Sequence, residues 1–209
     1  LLVAEWADPR FQRGVAKYAR QAQWHLNLDC IYSHDFLPWG WRGDGCIAMA
    51  GRPELTEFVL SLGVPVVDVT HQTAGAFPRI HEDDAAIGTQ AAEYLLGLGF
   101  KHFACYRTDS FDVSMVRSNS FARKIGKAGS SAQQLLWDRY SKRKSRDWKR
   151  RKEWLTRKLG ALPKPAALFC IDDRMAVTVI ETCQECRIRI PDEIAVLGVG
   201  NLEIACECS

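Results

Sequence analysis

The segment formed by residues 191–201 places the strongest constraint on the fold of this chain. Its proline turn at Pro191 leads into a fully apolar strand pattern that ends in the small residues Gly200 and Asn201. This strand closes a long alternation of apolar runs with helical patterns. In open α/β sheets, ligands bind in the crevice just beyond the carboxyl ends of such strands. The sequence therefore predicts an α/β protein that binds a small molecule near Gly200 and Asn201.

Most of the apolar runs are continuous rather than alternating, which is typical of strands covered on both faces of a parallel sheet. The predicted strands are residues 1–5, 26–32, 44–50, 64–69, 79–82, 102–107, 166–171 and 194–200. The helical patterns between them are residues 9–22, 53–62, 84–98, 117–128, 147–159 and 174–185. This alternation of strand and helix predicts right-handed βαβ units.

The sequence also predicts a division into two lobes. A break in the pattern falls near residues 109–113. We expect an N-terminal α/β lobe at residues 1–107 and a C-terminal α/β lobe at residues 108–209, incomplete at its end. Two doubly wound parallel-sheet lobes that face each other across a ligand cleft are the simplest arrangement for such a chain.

Size, apolar runs and cysteines limit the class of protein. A chain of 209 residues suits one large or two small domains. No apolar run approaches the roughly 20 residues that span a bilayer, and residues 1–5 form a strand-length run rather than a signal peptide. Most of the eight cysteines fall in apolar runs, where a free thiol behaves as a small buried hydrophobe. These features predict a cytoplasmic protein without a membrane partner.

Neither a metal site nor an enzyme is predicted. The pair Cys183-x-x-Cys186 lies in a helical pattern without a second pair at zinc-finger spacing, so a zinc or redox role is only an alternative. Ser33-His34-Asp35 is a local tripeptide rather than a spatial triad, and the chain has no phosphate-binding loop or nucleophile elbow. We therefore expect no catalytic residues, no metal and no cofactor.

The positive charge of the chain is local. The formal net charge is only +3, which is low for an electrostatic nucleic-acid binder. The basic residues concentrate in residues 142–158, where Trp148, Leu155 and Leu159 recur near helical spacing. This pattern predicts a solvated amphipathic helix that packs through its tryptophans. Contact with DNA or with a protein partner is the alternative interpretation.

Several stretches, in order along nearly the whole chain, resemble one known family. They are residues 8–18 (DPRFQRGVAKY), 44–47 (DGCI), 65–69, 83–103 (DDAAIGTQAAEYLLGLGFKHF), 117–121, 172–176 (DDRMA) and 190–201. The family is the periplasmic-binding-protein-like sensor domain of lactose-repressor-type transcription regulators. The chain is most similar to the sensor half of the xylose-operon activator group, in which this domain is joined to an AraC-type helix-turn-helix region.

The resemblance implies a function and a set of partners. The expected function is the effector-binding, sugar-sensing domain of a transcription regulator of carbohydrate catabolism, with xylose or a related pentose as effector. The resemblance also implies a homodimer and operator DNA bound through a domain outside this chain. The alternatives are a solute-binding protein of a sugar transporter, which needs an export signal, and an enzyme of doubly wound fold. The first turn reads Glu5-Trp6-Ala7-Asp8-Pro9, without the glycines that such an enzyme needs.

The resemblance further implies ligand-binding residues. In the first lobe it places Asp8 and the neighbouring Arg10 at the ligand, with Trp6 available to stack on a sugar ring. Asp8 is equally suited to cap the helix that follows it. The alternative for Trp6 is a packing role.

In the second lobe the resemblance implies that Arg117, Asp172 and Asn201 bind the ligand, with Asp173 left as the helix cap. Arg117 matches the family arginine that reaches into the cleft, where its planar fork suits paired hydrogen bonds. Gly200 stands where the family has a sugar-binding aspartate. Either the ligand differs from the usual pentose, or Asp172 supplies the carboxylate.

Overall fold

The chain folds into two compact units, Leu1–Glu82 and Asp83–Ser209. The computed structural model describes residues 1–4, 9–32, 37–49, 53–69, 77–108, 112–137 and 147–207. The division falls between Glu82 and Asp83, earlier than the boundary predicted after Arg107. The segment between the two positions forms a helix and a strand that pack into the second unit.

The first unit contains a parallel sheet with strand order β1-β2-β3. Its elements are β1 (Leu2–Ala4), α1 (Pro9–Gln21), α2 (Asp29–Tyr32), β2 (Cys46–Met49), α3 (Pro53–Ser61) and β3 (Val66–Asp68). The buried residues Leu55, Phe58 and Val59 of α3 pack with Cys46 and Val66 of the sheet. This small core agrees with the predicted pattern of strands and helices.

Two of the strands predicted in the first unit are not observed: one segment contains a short helix, and the other forms a single bridge. The segment predicted as a strand at residues 26–32 instead forms the short helix α2. The backbone N–H of Asp29 donates to Oδ1 of Asn27 at 3.1 Å, and this local side-chain bond starts a helical turn instead of a strand. At residues 79–82 the predicted strand is reduced to an isolated parallel bridge between Arg79 and Asp68.

The second unit is a four-stranded, fully parallel sheet with strand order β5-β4-β6-β7. Its elements are α4 (Asp84–Gly97), β4 (His102–Thr108), α5 (Asp112–Lys127), β5 (Ala132–Trp137), α6 (Trp148–Gly160), β6 (Ala166–Cys170), α7 (Asp173–Glu185), β7 (Ile194–Leu197) and α8 (Glu203–Glu207). From β4 the chain moves outward to β5 and then crosses back to β6. The order of the strands therefore reverses between β4 and β6.

Helices cover both faces of this sheet. Phe121 of α5 stacks on Phe169 of β6, with ring centroids 5.0 Å apart. On the opposite face, Trp154 of α6 packs against Tyr106 of β4 at 6.1 Å. Helices α4 and α5 pack together on the first face, and α6 and α7 pack together on the second. The fully buried strand β6 lies between the two layers.

A single glycine sets the distance between α4 and α5. A Cβ atom on Gly88 would lie 2.2 Å from the backbone oxygen of Arg117 and 3.1 Å from the backbone nitrogen of Phe121. The backbone of α5 therefore occupies the space that any side chain at position 88 would need. This close approach brings the first turns of α4 and α5 together at the carboxyl edge of the sheet.

Residues 148–158 of the basic segment lie in α6, as predicted, but the aromatic packing of this helix differs from the prediction. Leu155 and Leu159 are buried in the core, whereas Trp148 is 69% exposed and lies under the ammonium of Lys152. The packing tryptophan is Trp154, which contacts Trp137 at 5.3 Å. Among the described helices, none has the length and apolar character that crossing a bilayer requires.

Candidate functional site

Polar groups gather at the carboxyl edge of the second unit's sheet, beside the point where the strand order reverses. Open α/β sheets bind their ligands at this position, because the loops after the two central strands diverge there and leave a crevice. The residues that reach this edge come from the ends of β4, β6 and β7 and from the first two turns of α4, α5 and α7.

Arg117 occupies the centre of this edge, and it is buried with 9% of its surface exposed. Its Nε donates to Oδ1 of Asp84 at 2.7 Å. Its Nη1 donates to the backbone oxygen of Ile171, just after β6, at 2.8 Å. Asp84 lies in the first turn of α4, which is capped by Asp83. Arg117 of α5 is thus tied to α4 by an ion pair that is largely shielded from solvent, and to the end of β6 by a hydrogen bond.

Helix α5 places Arg117 on a buried stripe. Arg117 lies in the second turn, because the helix begins at Asp112 rather than at the predicted position 117. Residues three and four apart share a helix face. The buried residues on this face are Ser114, Arg117, Ser118, Phe121 and Ile125. Ser114 is only 1% exposed, and its Oγ has no hydrogen-bond partner in the described part of the chain.

Arg107, at the carboxyl end of β4, lies on the same face of the sheet as α5. Side chains alternate along a strand, so Arg107 shares a face with Cys105. Cys105 pairs in register with Phe169, whose ring stacks on Phe121 of α5. The Nε of Arg107 is buried and has no hydrogen-bond partner among the residues that the structure describes. Sequence reasoning missed Arg107, because an arginine at the end of a strand carries no distinctive pattern.

On the opposite face, Tyr106 and Trp137 pack around α6. The hydroxyl of Tyr106 accepts a hydrogen bond from Nε of Arg151 at 2.8 Å. Burial raises the pKa of Tyr106, and the charge and hydrogen bond of Arg151 lower that pKa in part. The Nε1 of Trp137 is buried without a hydrogen-bond partner within the described ranges. This face is mainly a packing surface.

Asp172, and not Asp173 as the sequence predicts, caps the helix α7. Asp172 is the N-cap of α7, where its Oδ1 accepts from the backbone N–H of Met175 at 2.9 Å. Its Oδ2 accepts from Arg174 at 3.1 Å. The assignment of the cap to Asp173 is therefore wrong. The chain adopts its extended turn at Asp172, one residue earlier, so Asp173 already belongs to the helix.

The buried Asp173 instead holds the turn after β7. Its Oδ2 accepts from the backbone N–H of Leu202 at 2.7 Å. A Cβ on Gly198 would lie 2.4 Å from Oδ1 of Asp173, and a Cβ on Gly200 would lie 3.3 Å from Oδ2. Gly200 also has a φ of +122°. The carboxylate of Asp173 thus fills the space beside the two glycines, which explains why position 200 lacks a side chain.

The structure brings together the three predicted site residues of the second unit. Arg117 bonds to Ile171, the residue before Asp172, and Asp173 bonds to Leu202, the residue after Asn201. Asn201 is exposed, with a φ of +50°.

Of the ligand-binding residues predicted in the first unit, Arg10 is exposed in the first turn of α1. Trp6 and Asp8 lie outside the described residues.

The described cysteines and histidines form no metal centre. No group of three or more histidine, cysteine, aspartate or glutamate side chains within the described ranges is placed to hold a metal ion. Cys183 is buried in α7, whereas Cys186 is exposed and its thiol lies 3.7 Å from Oγ1 of Thr156.

These features define the class: an α/β protein with parallel sheets, in which polar groups gather at the carboxyl edge of the second unit's sheet, beside the strand-order reversal. Residues 92–209, more than half of the chain, match the family model described as the periplasmic binding protein-like domain. The chain belongs to this family. The resemblance found in the sequence is thereby confirmed, and so is the predicted fold class.

Curated relatives include the xylose operon regulatory protein of Escherichia coli (strain K12). It is 23% identical over 210 residues, which cover 94% of this chain and 52% of that protein. The HTH-type transcriptional repressor PurR of Vibrio atlanticus (strain LGP32) is 45% identical over 42 residues, which cover 20% of this chain and 13% of the repressor. The chain spans about half the length of the xylose operon regulators that it matches.

Solved structures support the same fold. A xylose-binding transcription activator superposes with a TM-score of 0.75 at 20% identity, covering 97% of this chain and 54% of that chain. A periplasmic binding protein/LacI transcriptional regulator from Alkaliphilus metalliredigens QYMF, complexed with D-xylulofuranose, superposes with a TM-score of 0.61 at 16% identity. That match covers 97% of this chain and 77% of the other.

Proposed function

We propose that this chain is the effector-binding domain of a transcription regulator of carbohydrate catabolism, and that it senses a small sugar of the pentose class. The observation that carries this proposal is the buried Arg117, fixed by Asp84 and Ile171 at the strand-order reversal. Fixed planar donors at such a crevice suit the paired oxygens of a sugar. The regulators among the relatives support the same class of function.

The sugar-binding groups of the second unit follow from this geometry. Arg117 supplies a pre-oriented guanidinium, because two of its nitrogens are already held by protein acceptors. Asn201 supplies an exposed amide on the turn after β7. Asp172 retains acceptor capacity, since each carboxylate oxygen has two lone pairs and one is used by the helix cap. In the first unit, Trp6, Asp8 and Arg10 stay predicted ligand groups.

The resemblance extends the proposal to the rest of the regulator. We expect operator DNA to be bound through a domain outside these residues, a homodimer as the working assembly, and the cytoplasm as the location. We also propose that the chain has no catalytic activity. The regulators among its relatives favour this proposal over a solute-binding protein of a sugar transporter.

Thermal unfolding in the presence of sugars tests the proposed function. A ligand that binds only the folded state, at 100 times its dissociation constant, adds about 2.7 kcal/mol to the free energy of unfolding. The panel comprises pentoses, hexoses and the acids and phosphates derived from them. We expect at least one sugar or sugar derivative to raise the melting temperature.

Arg117→Lys should reduce that rise, because lysine keeps the charge and loses the planar fork. Arg150→Lys is the matched control, since Arg150 is exposed on α6 and its side chain pairs only with Asp147 in the described part of the chain. A panel without any stabilising sugar would overturn the proposal.

A further inference from the structure

Two buried polar groups at one corner of the candidate site lack protein partners. They are the Nε of Arg107, at the end of β4, and the Oγ of Ser114, in the first turn of α5. Only residues 109–111 separate β4 from α5, and both side chains lie on the face of the sheet that α5 covers. A buried donor without a partner costs about 1–3 kcal/mol, and more when it is charged. A bound ligand can supply the missing acceptors.

The charges of the described residues favour an anionic ligand at this corner. Arginine stays protonated inside proteins, and the side chain of Arg107 is half-buried with its Nε shielded from water, so its charge favours an anion beside it. The carboxylate of Asp84 already pairs with Arg117. Asp172 caps α7 and pairs with Arg174, and Asp173 bonds to the N–H of Leu202. No described carboxylate forms an ion pair with Arg107.

Helix α5 adds to this preference. It has 16 residues, and its N-terminal end carries partial positive charge from the aligned peptide dipoles. The buried hydroxyl of Ser114 in its first turn provides one more donor. Across the site, Gly200 has no side chain and therefore supplies no acceptor for ligand hydroxyl groups. The donors at this edge therefore suit a ligand richer in acceptors than a neutral sugar.

We propose that Arg107 and Ser114, at the N-terminal end of α5, bind a carboxylate or phosphate group of the sugar effector. This inference rests on the proposed function, because it specifies the chemistry of the sugar that the same site takes. The guanidinium of Arg107 presents two parallel N–H groups that match two oxygens of the anion. The hydroxyl of Ser114 donates a further hydrogen bond, and Arg117 remains available for the sugar hydroxyls.

The test compares a neutral sugar with its anionic counterparts on the 209-residue chain. Calorimetric titration at constant ionic strength uses D-xylose, D-xylonate and D-ribose 5-phosphate. We expect at least one of the two anions to bind more tightly than D-xylose. Arg107→Gln should weaken binding of that anion on the order of tenfold to a hundredfold, as expected for the loss of a charge-assisted pair. Ser114→Ala should weaken it less.

Arg150→Gln is the control, because it removes an exposed arginine elsewhere in the same unit and should leave affinity unchanged. Arg107→Lys keeps the charge and should retain the preference for the anion even where Arg107→Gln folds poorly. Binding of D-xylose that equals or exceeds that of both anions overturns the proposal and leaves the proposed sugar sensor intact. Failure of all three compounds, together with the wider panel above, overturns both.

Discussion

At the scale of single residues, Arg117, Asp84, Asp172 and Asp173 of the candidate site already have protein partners, whereas the Nε of Arg107 and the Oγ of Ser114 have none among the described residues. Arg117 and Asp84 are held in a pair whose side chains are 11% and 8% exposed. The desolvation of both charges offsets much of their attraction, so the pair adds little to stability as a whole. Removing one partner destabilises the fold strongly, because the other charge is left buried without a counter-charge. The pair therefore constrains the orientation of Arg117 more than it stabilises the fold.

The first prediction concerns this pair. Asp84→Asn should lower the free energy of unfolding by about 3–5 kcal/mol, because it leaves the guanidinium of Arg117 without its counter-charge. Urea denaturation of both proteins measures the difference. Arg150→Ala breaks the exposed pair with Asp147 and should cost about 1 kcal/mol or less. Equal effects of the two substitutions would contradict the role assigned to the buried pair.

The second prediction concerns pH and the buried thiol of Cys105. Burial raises the pKa of Cys105 from 9.0 to about 12. Below pH 9 the thiol is neutral in both states, and its contribution to stability is fully present. As the pH rises towards 12, the unfolded chain loses the proton while the folded chain keeps it, so stability falls. The slope approaches about 1.4 kcal/mol per pH unit.

Urea denaturation of wild type and Cys105→Ala at pH 8, 9, 10 and 11 measures this effect. The difference in unfolding free energy between the two should shift steadily in favour of the alanine variant above pH 9. Cys186→Ala removes an exposed thiol and should run parallel to wild type. A constant difference for Cys105→Ala across the range would exclude the buried thiol as a source of the pH dependence.

At the scale of elements, two close approaches position the site. Gly88 lets the backbone of α5 lie against α4, and Asp173 ties the first turn of α7 to the turn after β7. Both contacts fix helix ends at the carboxyl edge of the sheet. The position of Arg117 and that of Asn201 therefore depend on backbone packing as well as on side-chain bonds.

The third prediction concerns the packing of α4 on α5. Gly88→Ala should destabilise the protein despite the higher helix propensity of alanine, because its Cβ would lie 2.2 Å from a backbone oxygen of α5. Overpacking of this kind costs about 1–3 kcal/mol. Gly126→Ala is the matched control, since no atom lies within 4 Å of its added Cβ. The free energy of unfolding of Gly126→Ala should rise by up to about 1 kcal/mol because alanine has the higher helix propensity. If both substitutions destabilise the protein, the packing argument is refuted.

The fourth prediction separates the two aspartates of α7. In Asp173→Ala, the backbone amide of Leu202 should exchange its hydrogen faster than in wild type, because its acceptor is removed. In Asp172→Ala, that amide should keep its protection, while stability falls by about 0.5–2 kcal/mol through loss of the cap. Hydrogen exchange followed by NMR, with urea denaturation, distinguishes the two. If hydrogen exchange at Leu202 became faster in Asp172→Ala and not in Asp173→Ala, the roles assigned to the two aspartates would be wrong.

The sequence predicted most elements of the fold because their apolar patterns are strong. The continuous apolar run Ala166–Cys170, for example, was correctly predicted as a buried parallel strand. Strand β5 was missed because it lies at the edge of the sheet, where Gln133 and Gln134 are exposed and break the apolar run. At α2, the bonds between Asn27 and Asp29 override an apolar pattern that suggested a strand.

The candidate site was predictable only in part. Arg117 was predicted because the resemblance matches it to a family arginine, and the structure places it at the carboxyl edge of the sheet. The choice between Asp172 and Asp173 could not be made, because it depends on which residue adopts the extended turn and on a contact with Leu202, distant in sequence. Arg107 and Ser114 become visible only once the partners of every buried polar atom are known.

At the scale of the whole molecule, each of the two compact units has its own buried core. Buried cysteines take part in both cores: Cys30 and Cys46 in the first unit, and Cys105, Cys170 and Cys183 in the second. Burial raises the pKa of each of these thiols, to about 11 for Cys46 and Cys183. Folding of the two units thus protects these five thiols from reagents in solution.

The fifth prediction follows from this protection. In a Cys208→Ala background, an aromatic disulfide reagent at pH 8 should react rapidly with the two exposed thiols, Cys186 and Cys206. The buried thiols should react only after denaturant is added, because the thiolate is the reactive form and burial disfavours it. Absorbance of the released thiolate counts the reacted groups. Rapid reaction of a thiol assigned to either core would show that this unit opens readily.

The contact between Asp173 and the turn after β7 also restricts the order in which this sequence can change. An aspartate introduced at position 200 would place its Cβ 3.3 Å from the carboxylate of Asp173, at a φ of +122° that suits glycine. The two carboxylates would then lie close together on a strained backbone, and both effects make the single replacement unfavourable. We expect an aspartate at position 200 to be tolerated only when Asp173 is replaced as well. The two positions are therefore coupled by epistasis: the effect of a substitution at one depends on the residue at the other.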